Sequence, residues 1–269
     1  MLQLGRLGAG HLPVFFAIVF ITNLGATYVS AVYHGDVDPV FPYISAAGNN
    51  RPESCFFSLL LNLSSFLSMI VIYLRYSLVK ELIRGSDQKI ERANGIALFF
   101  GLVGAMGMMV VANFQESAVI KIHLGAAVTC FGSGGLYMTL QSYITLRMYP
   151  IFNNRRIGII RVLISVWSLT TFFVAIGFGT AAANKFHEFY PDLPTPRPWN
   201  RHIWMPGYEL HVVSAIAEWM MAAGHIAFIL SFSREFEKIR ATLKVESLVV
   251  HLDNSPLWRS TEDLSTFAS

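Results

Sequence analysis

Phe41–Leu63 reads FPYISAAGNNRPESCFFSLLLNL, and its change of character decides the fold. A polar, proline-bounded loop runs without a spacer into a helix apolar enough to cross a membrane. Pro42 pushes Phe41 out of the helical region, so Phe41-Pro42-Tyr43 is extended. Gly48-Asn49-Asn50 has the chemistry of a turn. Pro52 suits a first helical turn, Glu53 favours the positive end of the helix dipole, and the apolar run follows at once. The pattern places a charged residue just outside a bilayer. The same residues also suit an ordinary interfacial turn.

Charge is scarce in the rest of the chain. It is 54% hydrophobic and 14% charged, with a mean hydropathy of +0.48, where a soluble domain carries about 25% charge. The charges lie between long uncharged runs: Leu12–Val32, Cys55–Leu74, Asn94–Ala112, Ile122–Leu146, Gly158–Ala181 and His211–Phe232. Each is long enough to span about 30 Å of hydrocarbon. The expected fold is therefore all-α: a polytopic membrane protein with six transmembrane helices in one bundle over residues 1–232, and a tail over 233–269. Leu12–Tyr33 is too long for a cleaved signal segment and lacks a basic cluster before it, so a retained anchor is expected. No internal repeat is visible. A net charge of +3 argues against a nucleic-acid partner. Cys55 and Cys130 sit in or beside apolar helices, and no disulfide framework is expected.

Lys and Arg set the orientation. Most of the 20 basic residues fall at Arg6, Arg75–Arg92, Arg147–Arg161 and from Arg234 onward, while Arg51, Lys121, Lys185, Arg197 and Arg201 lie on the other side. The first set is expected in the cytosol, and both termini with it. The opposite face is then built from 33–54, 113–121 and 182–210. The last of these, Ala182–Leu210, is rich in proline and interleaved with Tyr190, Trp199, Trp204 and Tyr208, aromatics that suit the headgroup level. Gly95, Gly101, Gly104 and Gly107 on the third span, with Ala97 and Ala105, and Gly125, Gly132, Gly134 and Gly135 on the fourth predict a close-packed hairpin. Phe232, Phe236, Ile239 and Leu243, at helical spacing among Arg and Lys, predict an amphipathic helix that lies on the membrane or docks a cytosolic protein. Disorder is expected from Asp253 on.

Ionisable groups inside a bilayer are costly and need partners. Glu218 lies two turns below His211, about 10 Å into the bilayer, and Asn62 lies at a matching depth on the second span. An intramembrane polar pair, Asn62–Glu218, is expected, with Glu218 as a donor. Glu53, Asn113, Gln115, Glu116, His123 and His211 are expected to form a polar cap over the bundle mouth. Glu116, His123 and His211 are metal-ligating types, but no HExxH or paired CxxC spacing supports a metal. His211, Glu218 and His225 form one stripe, with His225 too deep to share a site with His211. No phosphate loop, GxSxG or dinucleotide fingerprint occurs. Catalytic residues, cofactors and metals are not assigned, and membrane lipids are the expected ligands.

HGDVDPVFPYISAAGNNRPES (His34–Ser54) resembles the first lumenal loop of the DRAM (damage-regulated autophagy modulator) family, within the Frag/DRAM/Sfk superfamily. VANFQESAVIKIH (Val111–His123), LYMTLQSYIT (Leu136–Thr145) and HVVSAIAEW (His211–Trp219) are similar to later segments of that family, in the same order. The resemblance implies six spans, a lysosomal or endosomal membrane, a role in promoting autophagy and no established catalytic residues. It marks Pro52-Glu53-Ser54, Asn113-Phe114-Gln115 and Glu218-Trp219 as family hallmarks. Other branches imply two rivals: a plasma-membrane adaptor for phosphoinositide kinase recruitment, and a factor in GPI-anchor lipid remodelling. The loop around Thr195–Pro206 and the tail beyond Val245 are longer than the family pattern.

Overall fold

In a computed structural model of the chain, residues 2–3, 8–195, 202–239 and 242–243 are described. The architecture is all-α, with one two-residue ladder. The long helices are α1 (His11–His34), α3 (Glu53–Ile83), α4 (Gln88–Asn113), α5 (Ile120–Arg147), α6 (Arg155–Phe189) and α7 (Tyr208–Leu230). Two short ones, α2 (Ile44–Ala47) and α8 (Ser233–Phe236), sit at opposite ends of the bundle. Five of the six expected segments fall inside one long helix, which overruns each of them, while the sixth, His211–Phe232, runs two residues past the end of α7 at Leu230. α1, α3, α4, α6 and α7 extended to Phe236 are long and apolar enough to cross a membrane. α5 matches them in length at 28 residues but carries buried Gln141, Ser142 and Thr145 and is less apolar.

The long helices form a closed ring. α1 packs on α3, α3 on α4, α4 on α5, α5 on α6 and α6 on α7, and α7 returns to α1. Small residues bring α4 and α5 together as their spacing predicts. A Cβ on Gly107 would lie 2.8 Å from Cys130 N, and one on Gly104 would lie 3.2 Å from Cys130 O and Gly134 N. Backbones that close leave no room for a side chain.

The first and last described segments meet at one end of the ring. β1 (Leu2–Gln3) pairs with β2 (Thr242–Leu243), and Ala9 N–H donates to Phe236 O at 3.1 Å. The tail helix is shorter than its periodicity predicts. Phe232 and Phe236 are fully buried, so the apolar face expected to meet a membrane or a partner packs beneath the bundle. The expected disorder from Asp253, and the basic residues Arg240 and Lys244, lie outside the described residues.

A charged cluster holds this end. Arg75 on α3 and Arg161 on α6 have no solvent exposure, and both pair with Glu235 on α8: Arg75 through Nη1, Arg161 through Nη2 at 2.8 Å. Arg75 Nε donates to Gln141 at 3.0 Å, and Arg161 Nη1 donates to Thr145 Oγ1 at 2.8 Å. Both guanidiniums also lie over the Phe232 ring, 5.2 and 4.4 Å from its centroid. Sequence reasoning placed both arginines among the exposed basic groups, and the structure corrects that. Among the described residues, the exposed basic groups at this end are Lys80, Arg84, Lys89, Arg92, Arg147, Arg155, Arg156, Arg234 and Lys238.

α6 also runs further than expected, to Phe189, because Ala182 and Phe186 stay buried beyond the apolar run. The proline-rich loop therefore begins later than Ala182, and Trp199 lies outside the described residues. At the start of α4, Asp87 is an N-cap: its carboxylate accepts from Lys89 N at 2.9 Å and Ile90 N at 3.2 Å. The Ile90 amide and the Arg147 guanidinium, 2.8 Å away, hold that carboxyl below its usual range.

Candidate functional site: a polar-ended groove

The site lies at the end of the ring opposite the β1–β2 ladder, and the PYIS stretch builds it. Pro42-Tyr43 is extended, and the single turn of α2 lowers Ile44 into the bundle, where it is buried. Ile44 N–H donates to Glu218 Oε2 at 3.0 Å, and Trp219 Nε1–H donates to Pro42 O at 2.8 Å. Two adjacent residues of α7 thus grip the loop backbone. Tyr43 OH donates to Ser214 Oγ at 2.6 Å, which donates to Ala175 O on α6 at 2.6 Å. The Tyr43 ring stands edge-on to His211, 4.8 Å between centroids. The turn Gly48-Asn49-Asn50 staples the neighbouring loops. Asn49 Oδ1 accepts from Ser117 N at 3.0 Å, and Asn50 Nδ2 donates to Asp36 Oδ1 at 2.7 Å.

Beneath this loop a cavity of about 490 Å³ opens between α5 and α6 and reaches inward to α7. Tyr43, Ser45, Glu116, His123, His211, Ser214 and Glu218 line its polar part, with Phe131, Phe172 and Met221 among its apolar walls. Its mouth is flanked by Leu124, Val128 and Ile176, which are 51%, 49% and 41% exposed. Side chains that apolar at an opening face lipid, not water. Ser45, His123 and Glu218 also bound a smaller inner cavity of about 90 Å³ that reaches His225 and Phe228. Apolar walls with a few converging polar groups are what a ligand site for an amphiphile requires.

The structure regroups the expected site residues. Asn62 does not pair with Glu218. Asn62 Nδ2 donates to Ser58 O at 2.9 Å and to Asn113 Oδ1 at 3.1 Å, and Asn113 Nδ2 returns a bond to Asn62 Oδ1 at 3.0 Å. This reciprocal amide pair joins α3 to α4 on the outside of the ring. The physical reason is angular: depth along a helix fixes height but not direction, and α1 stands between α3 and α7. In its observed bond Glu218 accepts rather than donates.

The expected polar cap divides. Glu116, His123 and His211 do share the groove, and Ser45 Oγ donates to Glu116 Oε2 at 3.2 Å. His123 Nδ1 is engaged 2.7 Å from Phe114 O. Asn113 belongs to the amide pair. Gln115 accepts through its backbone carbonyl from Ala118 and Val119, and Glu53 sits apart beside Ser30 and His34. Tyr43, Ser45 and Ser214 were not among the predicted site residues. The signal that could have found Tyr43 and Ser45 was a tyrosine and a serine just after Pro42, in the loop that runs straight into the second span.

Residues 8–239 match the family model described as Frag1/DRAM/Sfk1/Cwh43P N-terminal domain. The chain is 33% identical to the bovine (Bos taurus) DNA damage-regulated autophagy modulator protein 2 over 89% of its own length and 88% of the relative's. The chain belongs to the DRAM family. It is 35% identical to human (Homo sapiens) DNA damage-regulated autophagy modulator protein 1, over 82% of this chain and 87% of that one. It is 26% identical to the zebrafish (Danio rerio) modulator of macroautophagy TMEM150B over 92% of this chain and 95% of that one. No solved structure matches it. Glu218 and Trp219 together clamp the backbone of the PYIS loop over the groove.

Proposed function

We propose that this protein modulates autophagy as a non-enzymatic, multi-pass protein of the lysosomal or endosomal membrane, and that it does so by holding a membrane lipid in the groove. The first part rests on the similarity to autophagy modulators along almost the whole chain. The lipid rests on one observation, a cavity of about 490 Å³ with apolar walls and polar groups gathered at its inner end. A lipid fits with its chain between α5 and α6 and its headgroup against Glu218, Tyr43 and Ser45. α5 serves as the sixth crossing, because it stands in the ring between α4 and α6. The basic end that carries both termini faces the cytosol. There Arg84, Lys89, Arg92, Arg155 and Arg156 offer a surface to anionic lipid or an acidic partner. The buried Phe232 and Phe236 weaken the tail's claim as the docking helix of a kinase adaptor.

The test combines three readings on the full-length protein in cells that lack it: location, autophagic flux, and the lipid retained through purification, identified by mass spectrometry. Wild type should reside in lysosomes or endosomes, restore flux and carry a defined lipid. Ala127→Phe, which fills the groove, should lose the lipid and the flux but keep location. Loss of lipid with intact flux would sink the lipid part. Residence at the plasma membrane without any effect on flux would move the weight to the adaptor reading.

A further inference from the structure

On the same side of the bundle as the groove but outside it, His34, Asp36 and Glu53 converge. Glycine makes the convergence possible. Gly35 ends α1 in the left-handed conformation, at φ 74°, which a residue with a Cβ adopts only under strain. The chain therefore folds back, and Asp36 N–H donates to Ala31 O at 2.9 Å. Glu53, the first residue of α3, is brought up against the end of α1. One ligand atom from each of His34, Asp36 and Glu53 lies within 4.8 Å of the other two.

The cluster is not satisfied by its own hydrogen bonds. Glu53 is 1% exposed, and its Oε1 receives both Ser30 Oγ at 2.5 Å and His34 Nδ1 at 2.6 Å. Its Oε2 is equally buried and has no hydrogen-bond partner among the described residues. A buried carboxylate oxygen without a donor is a rare and costly arrangement, and a cation satisfies it directly. The supporting contacts are those a metal site needs. Asn50 orients Asp36 through its amide at 2.7 Å, and Ser30 orients Glu53.

We propose that His34, Asp36 and Glu53 bind a divalent transition-metal ion, with zinc as the probe their imidazole-and-carboxylate set suits. One imidazole nitrogen and two carboxylate oxygens, with a fourth position open to water, match an exposed zinc site. Calcium takes six to eight oxygens, and magnesium prefers carboxylates and water to imidazole. The geometry needs only a small adjustment. Ligand atoms about 2.0–2.1 Å from a tetrahedral zinc lie about 3.3 Å apart. The His34–Glu53 contact must therefore open slightly, and the Asp36 carboxylate must move inward. His34 is 44% exposed at its side chain and has room to turn. The ion would bridge the end of α1 to the start of α3, stapling the first loop to the bundle without entering the groove.

Full-length protein, purified without a histidine tag, stripped with chelator and reconstituted in lipid nanodiscs, is titrated with zinc chloride. Bound metal is counted by equilibrium dialysis with elemental analysis, and melting is followed in parallel. One zinc per chain and a melting point that rises with zinc are expected, with neither effect from magnesium. His34→Ala combined with Asp36→Asn should weaken zinc binding by at least about tenfold, the lower end of what even supporting residues contribute. Asn50→Ala should weaken it less. Glu53→Gln is informative only if it folds, and the His34/Asp36 pair, both closer to solvent, does not depend on it. No zinc bound at micromolar concentration, or undiminished zinc in the double variant, overturns the site.

Discussion

The two ends of the bundle handle buried polar groups in opposite ways. At the end that holds the β1–β2 ladder, Arg75, Arg161 and Glu235 meet over the Phe232 ring, joined by Gln141 and Thr145. At the other end, Glu218, Tyr43, Ser45 and Ser214 are also hydrogen-bonded, yet they border about 490 Å³ of cavity. Two guanidiniums closed around one carboxylate and a ring leave no room for a ligand, whereas polar groups that line a void do. The first end is the fastener and the second is the site.

The contrast breaks first at Glu235. Removing one partner of a buried charge pair costs about 3–5 kcal/mol because the other is left uncompensated. Here two guanidiniums depend on one carboxylate. Glu235→Gln should lose that much stability in denaturation of the detergent-solubilised protein, and the α8 segment should become protease-sensitive. Glu218→Gln, in the groove, should lose less than about 1 kcal/mol, since its one assigned bond is a backbone amide to an acceptor that glutamine retains. Equal losses at the two positions would abolish the distinction between fastener and site.

A second test separates tight packing from open space. Gly107→Leu places a side chain where a Cβ already meets Cys130 N at 2.8 Å, and it should cost about 1–3 kcal/mol. Gly95 is on the same helix with nothing within 4 Å, and Gly95→Leu should stay within about 0.5 kcal/mol of wild type. Thermal unfolding of both variants reads the difference. If Gly95→Leu is the more damaging, the α4–α5 seam has been misjudged.

Composition and periodicity carried the helices, because apolar length is a property of each segment alone. The α4–α5 hairpin was legible in part: Gly104 and Gly107 do meet the α5 backbone, whereas Gly95 and Gly125 face open space and Gly132, Gly134 and Gly135 face side chains of α6 and α7. The partners of polar residues were not legible, because they depend on the order of helices around the ring. Asn62 and Glu218 share a depth but not a seam. Arg75 and Arg161 looked like cytosolic loop charges because positive-inside reasoning counts basic residues without asking which way they point. Glu235, their partner, lay in a tail read for its apolar face. The groove was half legible: Glu116, His123 and His211 were named, while Tyr43 and Ser45 hid in a loop whose backbone, more than its side chains, builds the site.

A smaller effect should come from Tyr43→Phe. It removes the hydroxyl that bonds Ser214 at 2.6 Å, a link worth about 0.6–1 kcal/mol between membrane helices. Ser214 keeps its bond to Ala175 O, so the helices stay in place and the loop alone loosens. Lipid retained through purification should fall while the melting point barely moves. A full loss of stability would make Tyr43 part of the fastening and not of the groove.

The smallest effect falls on an exposed charge at the fastened end. Asp87 caps α4 and meets Arg147, and its carboxyl is held below the usual value of 3.8, first by the Ile90 amide and then by Arg147. A carboxyl whose folded value is depressed adds stability above its unfolded value and loses it as pH falls through the folded one. Asp87→Asn should therefore melt slightly below wild type at neutral pH, and the gap should close as the solution is acidified below about 3.9. Salt should narrow it too, because this pair stands in water and the Arg75–Glu235 pair does not. A gap that survives both acid and high salt would mean that Asp87 acts through its cap geometry alone. The charge at this end of the bundle would then matter only where it is buried.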